Sequence, residues 1–340
     1  MQGIDTVRVS AWLDANLADA IAPYDFALIA GGRSNLTYAV TDGNGRRLVL
    51  RRPPLAQVLA TAHDMAREHR IISAVGRTNV PVPRALGLCT DDTVNGAPFY
   101  VMGYVDGVVL DSPERAAALP VALRPQVSEH LVDVLADLHA VDIDDVGLGD
   151  LAKREGYVER QVKRWSTQWE QSKTRELPAI DEVARALRNH LPVQQGVSIA
   201  HGDFRFGNCL TDIDHGQINA VLDWELCTLG DPLADLGYLG VYWYQGDPTT
   251  ARANDPTSAG GFPAFSDLVE RYARRTGRDV SGIGYYIAFG CWRLAVISEG
   301  VYSRYVHGAM GEGGEVDFAT FKEATEALAE RARGAIQQWA

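Results

Sequence analysis

The chain has 340 residues, 46% hydrophobic and 22% charged, long enough for two packed lobes with a sizeable core and ordinary for a globular protein. No apolar run approaches the ~18 residues that a membrane span needs, and the start lacks a basic stretch followed by an apolar one, so a cytoplasmic protein that neither crosses nor leaves a membrane is expected. The net charge of −12 is uneven: residues 1–105 carry 10 basic and 9 acidic side chains and residues 106–340 carry 22 and 35, an acidity that argues against nucleic acid and anionic membranes as partners.

In chain order, the first hundred residues read as short β-rich runs around one helix. "YDFALIAGG" and "LTYAVTDGNGRRLVLRRPP" predict three strands, with "TDGNG" as the hairpin turn between β-branched runs. "TAHDMAREHRIISAV" predicts a helix, with Met65, Ile72 and Val75 along its apolar stripe and Glu68 on its polar side; the Asn and two prolines of "RTNVPVP" close it. "PRALGLCT" and "GAPFYVMGYVDG" predict two further strands. Beyond Gly107 the pattern turns helical, beginning with "PQVSEHLVDVLADLHAV" and "REGYVERQVKRWSTQWEQS". Short strands are expected at "VSIAHGD" and "INAVLDW", then helices at "PLADLGYLGVYW", "PAFSDLVERYARRT", "YYIAFGCWRLAVISEGVYSRY" and "VDFATFKEATEALAERARGAIQQW". Cys89, Cys209, Cys227 and Cys291 lie far apart without a C-x-x-C, which predicts reduced core residues rather than a zinc site or disulfides.

The chemistry is concentrated in "HGDFRFGN", 201–208, and in "VLDWELCTLGDPLADLGY", which adds four carboxylates beside apolar strands. Carboxylates so placed are costly unless cations or hydrogen-bond donors compensate them. The order of parts is informative: a Gly-containing turn, a cation on a strand, a helix with a Glu, an apolar connecting strand, H-x-D-x-x-x-x-N, and a later strand-end Asp. Phosphoryl transfer uses such a set, because its transition state spreads negative charge over oxygens and catalysis is largely positioning plus cations. The hard oxygen donors suit magnesium.

On "HGDFRFGN" and "LDWELCTLGDPLADL" above all, residues 25–310 resemble the aminoglycoside phosphotransferase and choline kinase superfamily, small-molecule relatives of the protein kinases. "GGRSNLTY" and "VLRRPP" resemble most the branch that also occurs fused to acyl-CoA dehydrogenases. The resemblance implies an α+β, bilobal protein-kinase-like fold. A small β-rich nucleotide-binding lobe would span 1–105, with a hinge at 101–107, and a larger, mainly helical lobe with the catalytic loop and acceptor site would span 106–340. It further implies an ATP- and Mg2+-dependent kinase of a small-molecule hydroxyl.

Carried over by position, Asp203 matches the catalytic Asp that accepts or orients the acceptor proton, and Asn208 and Asp223 match the metal ligands. Arg205 is placed to meet the γ-phosphate or to pair with a nearby carboxylate. His201 is expected to be a structural hydrogen-bonder, Glu225 either an outer metal partner or a surface carboxylate, and Asp231 and Asp235 structural supports. Gly31 and Gly32 would form the phosphate-covering turn, with Ser34 or Asn35 offering donors. Met102 would be the inner gate of the hinge, with the backbone of Gly103 and Val105 facing an adenine edge. One departure stands out: all four lysines lie after residue 150, so Arg51 must replace the strand lysine and pair with Glu68, while Arg52 points to the opposite face.

That departure leaves open a nucleotide-binding protein without turnover, acting as an interaction module. Metal-dependent hydrolysis at His201, Asp203 and Asp223 is disfavoured, because no second histidine stands at metal spacing. The acceptor is also open: the acidic large lobe admits an aminoglycoside, whereas the branch suggests a hydroxyacyl compound or its CoA thioester. "VYSRYVHGAMGEGGEVD" is a candidate lid or a plain surface loop.

Overall fold

The structure is a computed structural model that describes residues 2–30, 35–55, 64–244, 246, 255–306 and 318–337. It is an α+β, bilobal, protein-kinase-like fold, with a small antiparallel sheet at one end and a helical body at the other.

The small part holds α1 (Thr6–Asn16), β1 (Asp25–Ala30), β2 (Leu36–Thr41), β3 (Arg47–Arg52), α2 (Met65–Val75), β4 (Ala85–Cys89), the single turn α3 (Asp92–Asn95) and β5 (Phe99–Gly103). The sheet runs in the order β1-β2-β3-β5-β4, every pair antiparallel. The expected hairpin pairs Thr41 with Arg47, and the Asp42 carboxylate ties its turn by accepting from the N–H of Asn44 at 2.9 Å and of Arg46 at 2.8 Å.

Side chains alternate across a strand, and here the alternation feeds two cores. Leu48, Leu50, Phe99 and Val101 pack with Val9 and Leu13 of α1, whereas Val49, Tyr100 and Met102 pack with Met65, Ile71 and Ile72 of α2. Arg51 therefore lies on the α2 face. Arg52 lies on the α1 face, buried, where its guanidinium donates to the carbonyls of Gly3 and of Asn95.

The helical part continues with the turn α4 (Pro113–Ala116), α5 (Arg124–Ala140), α6 (Tyr157–Ser172) and α7 (Pro178–Asn189). Next come β6 (Ser198–Ala200), β7 (Cys209–Asp212), β8 (Gln217–Val221), β9 (Thr228–Gly230), α8 (Pro232–Val241), α9 (Phe265–Thr276), α10 (Ile283–Val306) and α11 (Phe318–Ile336). β7 pairs with β8 and β6 with β9. Helix α8 is buried along its whole length, and at Gly237 its backbone comes so close to α10 that an added Cβ would lie 2.4 Å from Tyr286 Cβ. The four cysteines are buried, and none is in a disulfide. Among the described residues no helix is long and apolar enough to cross a membrane.

Two helices stand outside the predicted set. In α1 only Val9 and Leu13 are buried, too sparse a stripe to register as periodicity; its sign is Asp5, which caps the helix by accepting from the Arg8 N–H at 3.1 Å. In α7 the signal was present: Pro178 opens it and Ile180, Val183 and Leu187 share its buried face. Most of the candidate lid, residues 307–317, lies outside the described residues.

Candidate active site

The β7–β8 hairpin assembles the first half of the site. Asn208 precedes β7 and Asp223 follows β8, and the pairing of Cys209 with Val221 sets them side by side, closed by the Leu222 N–H donating to the Asn208 carbonyl at 2.8 Å. Asp223 has φ 64° and ψ 67°, the one non-glycine residue with positive φ among the described residues. Left-handed backbone at such a residue costs about 1–3 kcal/mol and persists where surrounding structure imposes it. The Asn208 amide nitrogen donates to the Asp203 carboxylate at 2.6 Å and to its carbonyl at 2.8 Å. Both partners only accept, so the amide orientation is determined and Oδ1 is left to face elsewhere.

The 201–208 loop is gripped from beneath. Buried Asp235 of α8 accepts from the backbone N–H of His201 at 2.6 Å and of Gly202 at 2.8 Å, and His139 Nε2 lies 3.4 Å from the same carboxylate. Burial alone would push the Asp235 carboxyl up, but these donors hold it below its ordinary value. Its partner His139 is shifted down by burial and is neutral, donating from Nε2 and accepting at Nδ1 from the Tyr272 hydroxyl at 2.8 Å. Gly202 has φ +83°, and a Cβ there would lie 2.8 Å from the Leu226 carbonyl, so this turn requires glycine.

His201 is fully buried against Trp224. It accepts at Nδ1 from the Asp203 N–H at 3.2 Å and donates from Nε2 to the Leu222 carbonyl at 2.9 Å. Both ring nitrogens are occupied, so it is structural, and it ties the 201–208 loop to the Asp223 strand. Asp231 caps α8 through the Leu233 N–H at 3.1 Å and accepts from the Tyr286 hydroxyl at 2.7 Å.

Asp235→Asn should lower stability by about 1–3 kcal/mol at neutral pH, because one side-chain oxygen cannot serve two backbone donors and a buried N–H is left unpaired. A depressed carboxyl gives stability that is lost as pH falls through its folded pKa. The difference between wild type and variant in urea unfolding should therefore narrow on acidification.

Above Asp203, Arg205 Nε donates to its carboxylate at 3.2 Å and the guanidinium lies 4.8 Å from the Tyr242 ring centroid. Arg205 thus has the nearby carboxylate that one of its two expected roles names. A second cation, buried Arg293 of α10, donates to the Gly202 carbonyl, stacks 4.6 Å from the Tyr238 centroid and keeps a buried Nε without a hydrogen-bond partner. Sequence reasoning missed Arg293; its signal was a single charge in the apolar run from Ile283 to Ser298.

The sheet supplies the other wall. Arg51 Nε lies 3.2 Å from Glu68, and its Nη2 donates to Asp223 at 2.5 Å and lies 3.8 Å from Glu225. Burial works against the charge on Arg51, but the Glu68 and Asp223 carboxylates outweigh it and hold the guanidinium protonated. Glu68 is buried on α2, so the polar side of the helix that carries it faces Arg51 and not solvent. It also accepts from the Tyr100 hydroxyl at 3.1 Å and the Asn35 amide at 3.0 Å, and burial still raises its pKa. Tyr100 was missed, although it sits two residues before Met102 on the same strand face. Asn35 does not turn its amide outward as a phosphate donor: buried, it gives that nitrogen to Glu68 and, at 3.4 Å, to Glu225. Gly31, Gly32 and Ser34 lie outside the described residues.

Between these walls is a cleft with a cavity volume of about 330 Å³, lined by Val49, Ile72, Met102, Gly103 and Val105 on one side and Asn208, Leu210 and Asp223 on the other. The Gly103 N–H is committed to the Arg84 carbonyl at 2.8 Å, so it is not a donor to the cleft. The cleft is thus apolar at its back, with its polar groups gathered at the Arg51–Asp223 end, the form of a small-molecule site.

Residues 25–268 match the sequence model of the phosphotransferase enzyme family. The chain belongs to this family. Acyl-CoA dehydrogenase family member 10 of Mus musculus is 35% identical over 291 residues, 84% of this chain but only 27% of that longer protein. A crystal structure of a candidate aminoglycoside phosphotransferase from Ralstonia eutropha superposes with a TM-score of 0.83 at 31% identity, covering 98% of both chains. The family fold extends to a thermostable mutant of the aminoglycoside phosphotransferase APH(4)-Ia in ternary complex with AMP-PNP and hygromycin B, at TM-score 0.58 and 17% identity over 95% of this chain and 98% of that one.

Proposed function

We propose that this phosphotransferase-family chain transfers the γ-phosphate of ATP, with Mg2+, to the hydroxyl of a small molecule bound beside Asp203. The observation that carries the reading is the convergence of Asp203, Asn208 and Asp223 at the polar mouth of a cleft whose other wall holds the Arg51–Glu68 pair. In this reading the segments 1–105 and 106–340 act as nucleotide and acceptor lobes joined at 101–107. The adenine lies against Met102 and the Gly103–Val105 backbone, with the Gly103 N–H excluded from its recognition. Asp203 orients the acceptor hydroxyl and takes its proton. Arg51, kept in place by Glu68, turns from Asp223, and Arg205 turns from Asp203, to meet phosphate oxygens.

The metal fits the donor set: Asn208 Oδ1, turned away from Asp203, and the Asp223 carboxylate are two hard oxygen donors side by side, the small protein complement that magnesium takes when phosphates and water complete its shell. When bound, it would neutralise charge on the phosphates. Of the two acceptor classes, we favour the hydroxyacyl one, because Arg293, on the Gly202 carbonyl with its Nε without a hydrogen-bond partner, adds positive charge beside Asp203 that a polycationic aminoglycoside would oppose. The Arg51–Asp223 pairing keeps a second reading in play, a nucleotide-binding module without turnover.

AMP-PNP with Mg2+ should raise the melting temperature, since a ligand bound only by the native state stabilises it by about 2.7 kcal/mol at a hundredfold excess over Kd. No metal-dependent rise would sink the nucleotide reading. ATP consumption on a panel of hydroxy acids, their CoA thioesters and aminoglycosides then separates kinase from binding module.

A further inference from the structure

We propose that Glu225 is a positioning residue that lets an arginine serve at position 51, by receiving its guanidinium when Asp223 turns to a cation. The inference rests on the nucleotide-and-metal reading of the cleft. In this structure Arg51 is shared among three carboxylates: Nε faces Glu68 at 3.2 Å, and Nη2 donates to Asp223 at 2.5 Å with Glu225 next in reach at 3.8 Å. Asp223 cannot serve Arg51 and a metal at full strength, because two cations on one carboxylate share its charge and repel each other.

Releasing Asp223 would leave a largely buried guanidinium with one anion, unless a second stands ready. Glu225 Oε2 is that anion, held towards the cluster by the Asn35 amide at 3.4 Å, which bonds Glu68 with the same nitrogen at 3.0 Å. The forked guanidinium can hold Glu68 through Nε and Glu225 through Nη2 at once, whereas a lysine would have to draw both carboxylates to a single nitrogen. Glu225 thus lowers the cost of freeing Asp223, and it acts through Arg51.

Mn2+ uptake measured by electron paramagnetic resonance at saturating AMP-PNP tests this in wild type, Glu225→Gln, Arg51→Lys and the double variant. Glu225→Gln should raise the half-saturating Mn2+ concentration about fivefold when Arg51 is present, the scale of one partly exposed ion pair, and less than about twofold in the Arg51→Lys background. An equal shift in both backgrounds would show that Glu225 meets the cation directly or merely supports the fold, and would overturn the proposal. So would no shift in either. Wild type that takes up no AMP-PNP at any Mn2+ concentration overturns the nucleotide reading itself and this inference with it, an outcome distinct because no titration exists to compare. Should Glu225→Gln not fold, judged by its melting curve, Glu225→Asp carries the same comparison with the charge kept and the reach shortened.

Discussion

Asp203→Asn should lower phosphate transfer by about 10²–10⁴-fold, the usual contribution of a positioned general base, while AMP-PNP affinity changes by no more than about twofold. Asn keeps the size of Asp and one accepting oxygen, so the Asn208 amide at 2.6 Å retains a partner and the 201–208 loop stays in place. What disappears is the capacity to take a proton and the charge that Arg205 faces at 3.2 Å. The backbone of Asp203 is secured independently, its N–H on His201 and the preceding residues on Asp235. Steady-state transfer and isothermal titration of nucleotide read the two effects separately. A variant that loses transfer and nucleotide affinity in proportion would place Asp203 at the nucleotide instead of the acceptor.

Arg51→Ala should lower kcat/KM by about 10²–10³-fold, the scale seen when one group that stabilises developing charge is removed. It should also weaken the fold. Glu68 has only 2% of its side chain exposed and Arg51 12%, and removing one partner from a buried pair costs about 3–5 kcal/mol because the other charge is left uncompensated. The pH dependence has a definite sign. Burial already raises the Glu68 pKa with Arg51 present, and without Arg51 it must rise further. Between the unfolded and folded pKa the native state binds more protons, so stability falls as pH rises through that window. The part of the deficit that comes from Glu68 is therefore full above the raised folded pKa and vanishes below the ordinary glutamate value, where Glu68 is protonated in both states. Urea unfolding across that range tests the sign. A deficit independent of pH would mean that Glu68 finds another counter-ion, and wild-type turnover in Arg51→Ala would exclude Arg51 as the phosphate-binding cation.

The parts that could be read from the linear chain are those whose physics is local. The turn in "TDGNG", the spacing from Asp203 to Asn208 and the capping by Asp231 each involve residues a few positions apart. Strand alternation was enough to send Arg51 and Arg52 to opposite faces. Helix periodicity placed α2, α5, α6 and α8 to α11, and overlooked α7 and also α1, whose two buried side chains make too narrow a stripe. What only the tertiary structure decided is how segments far apart in the chain meet. Arg51 and Asp223 are 172 residues apart, and nothing in either neighbourhood specifies that contact. The burial of Glu68 depends on α2 lying under Tyr100, and the turning inward of Asn35 depends on where Glu68 and Glu225 come to rest. Arg293 reads as an odd charge in an apolar helix until α10 packs against α8 and brings it to Gly202. Local preferences act over a turn of helix or a pair of strands, whereas the charge on Arg51 is compensated by three carboxylates from two segments far away in the chain. That compensation exists only once the sheet, α2 and the β7–β8 hairpin have packed, so the type of chemistry was written in the motifs and its electrostatic state was not.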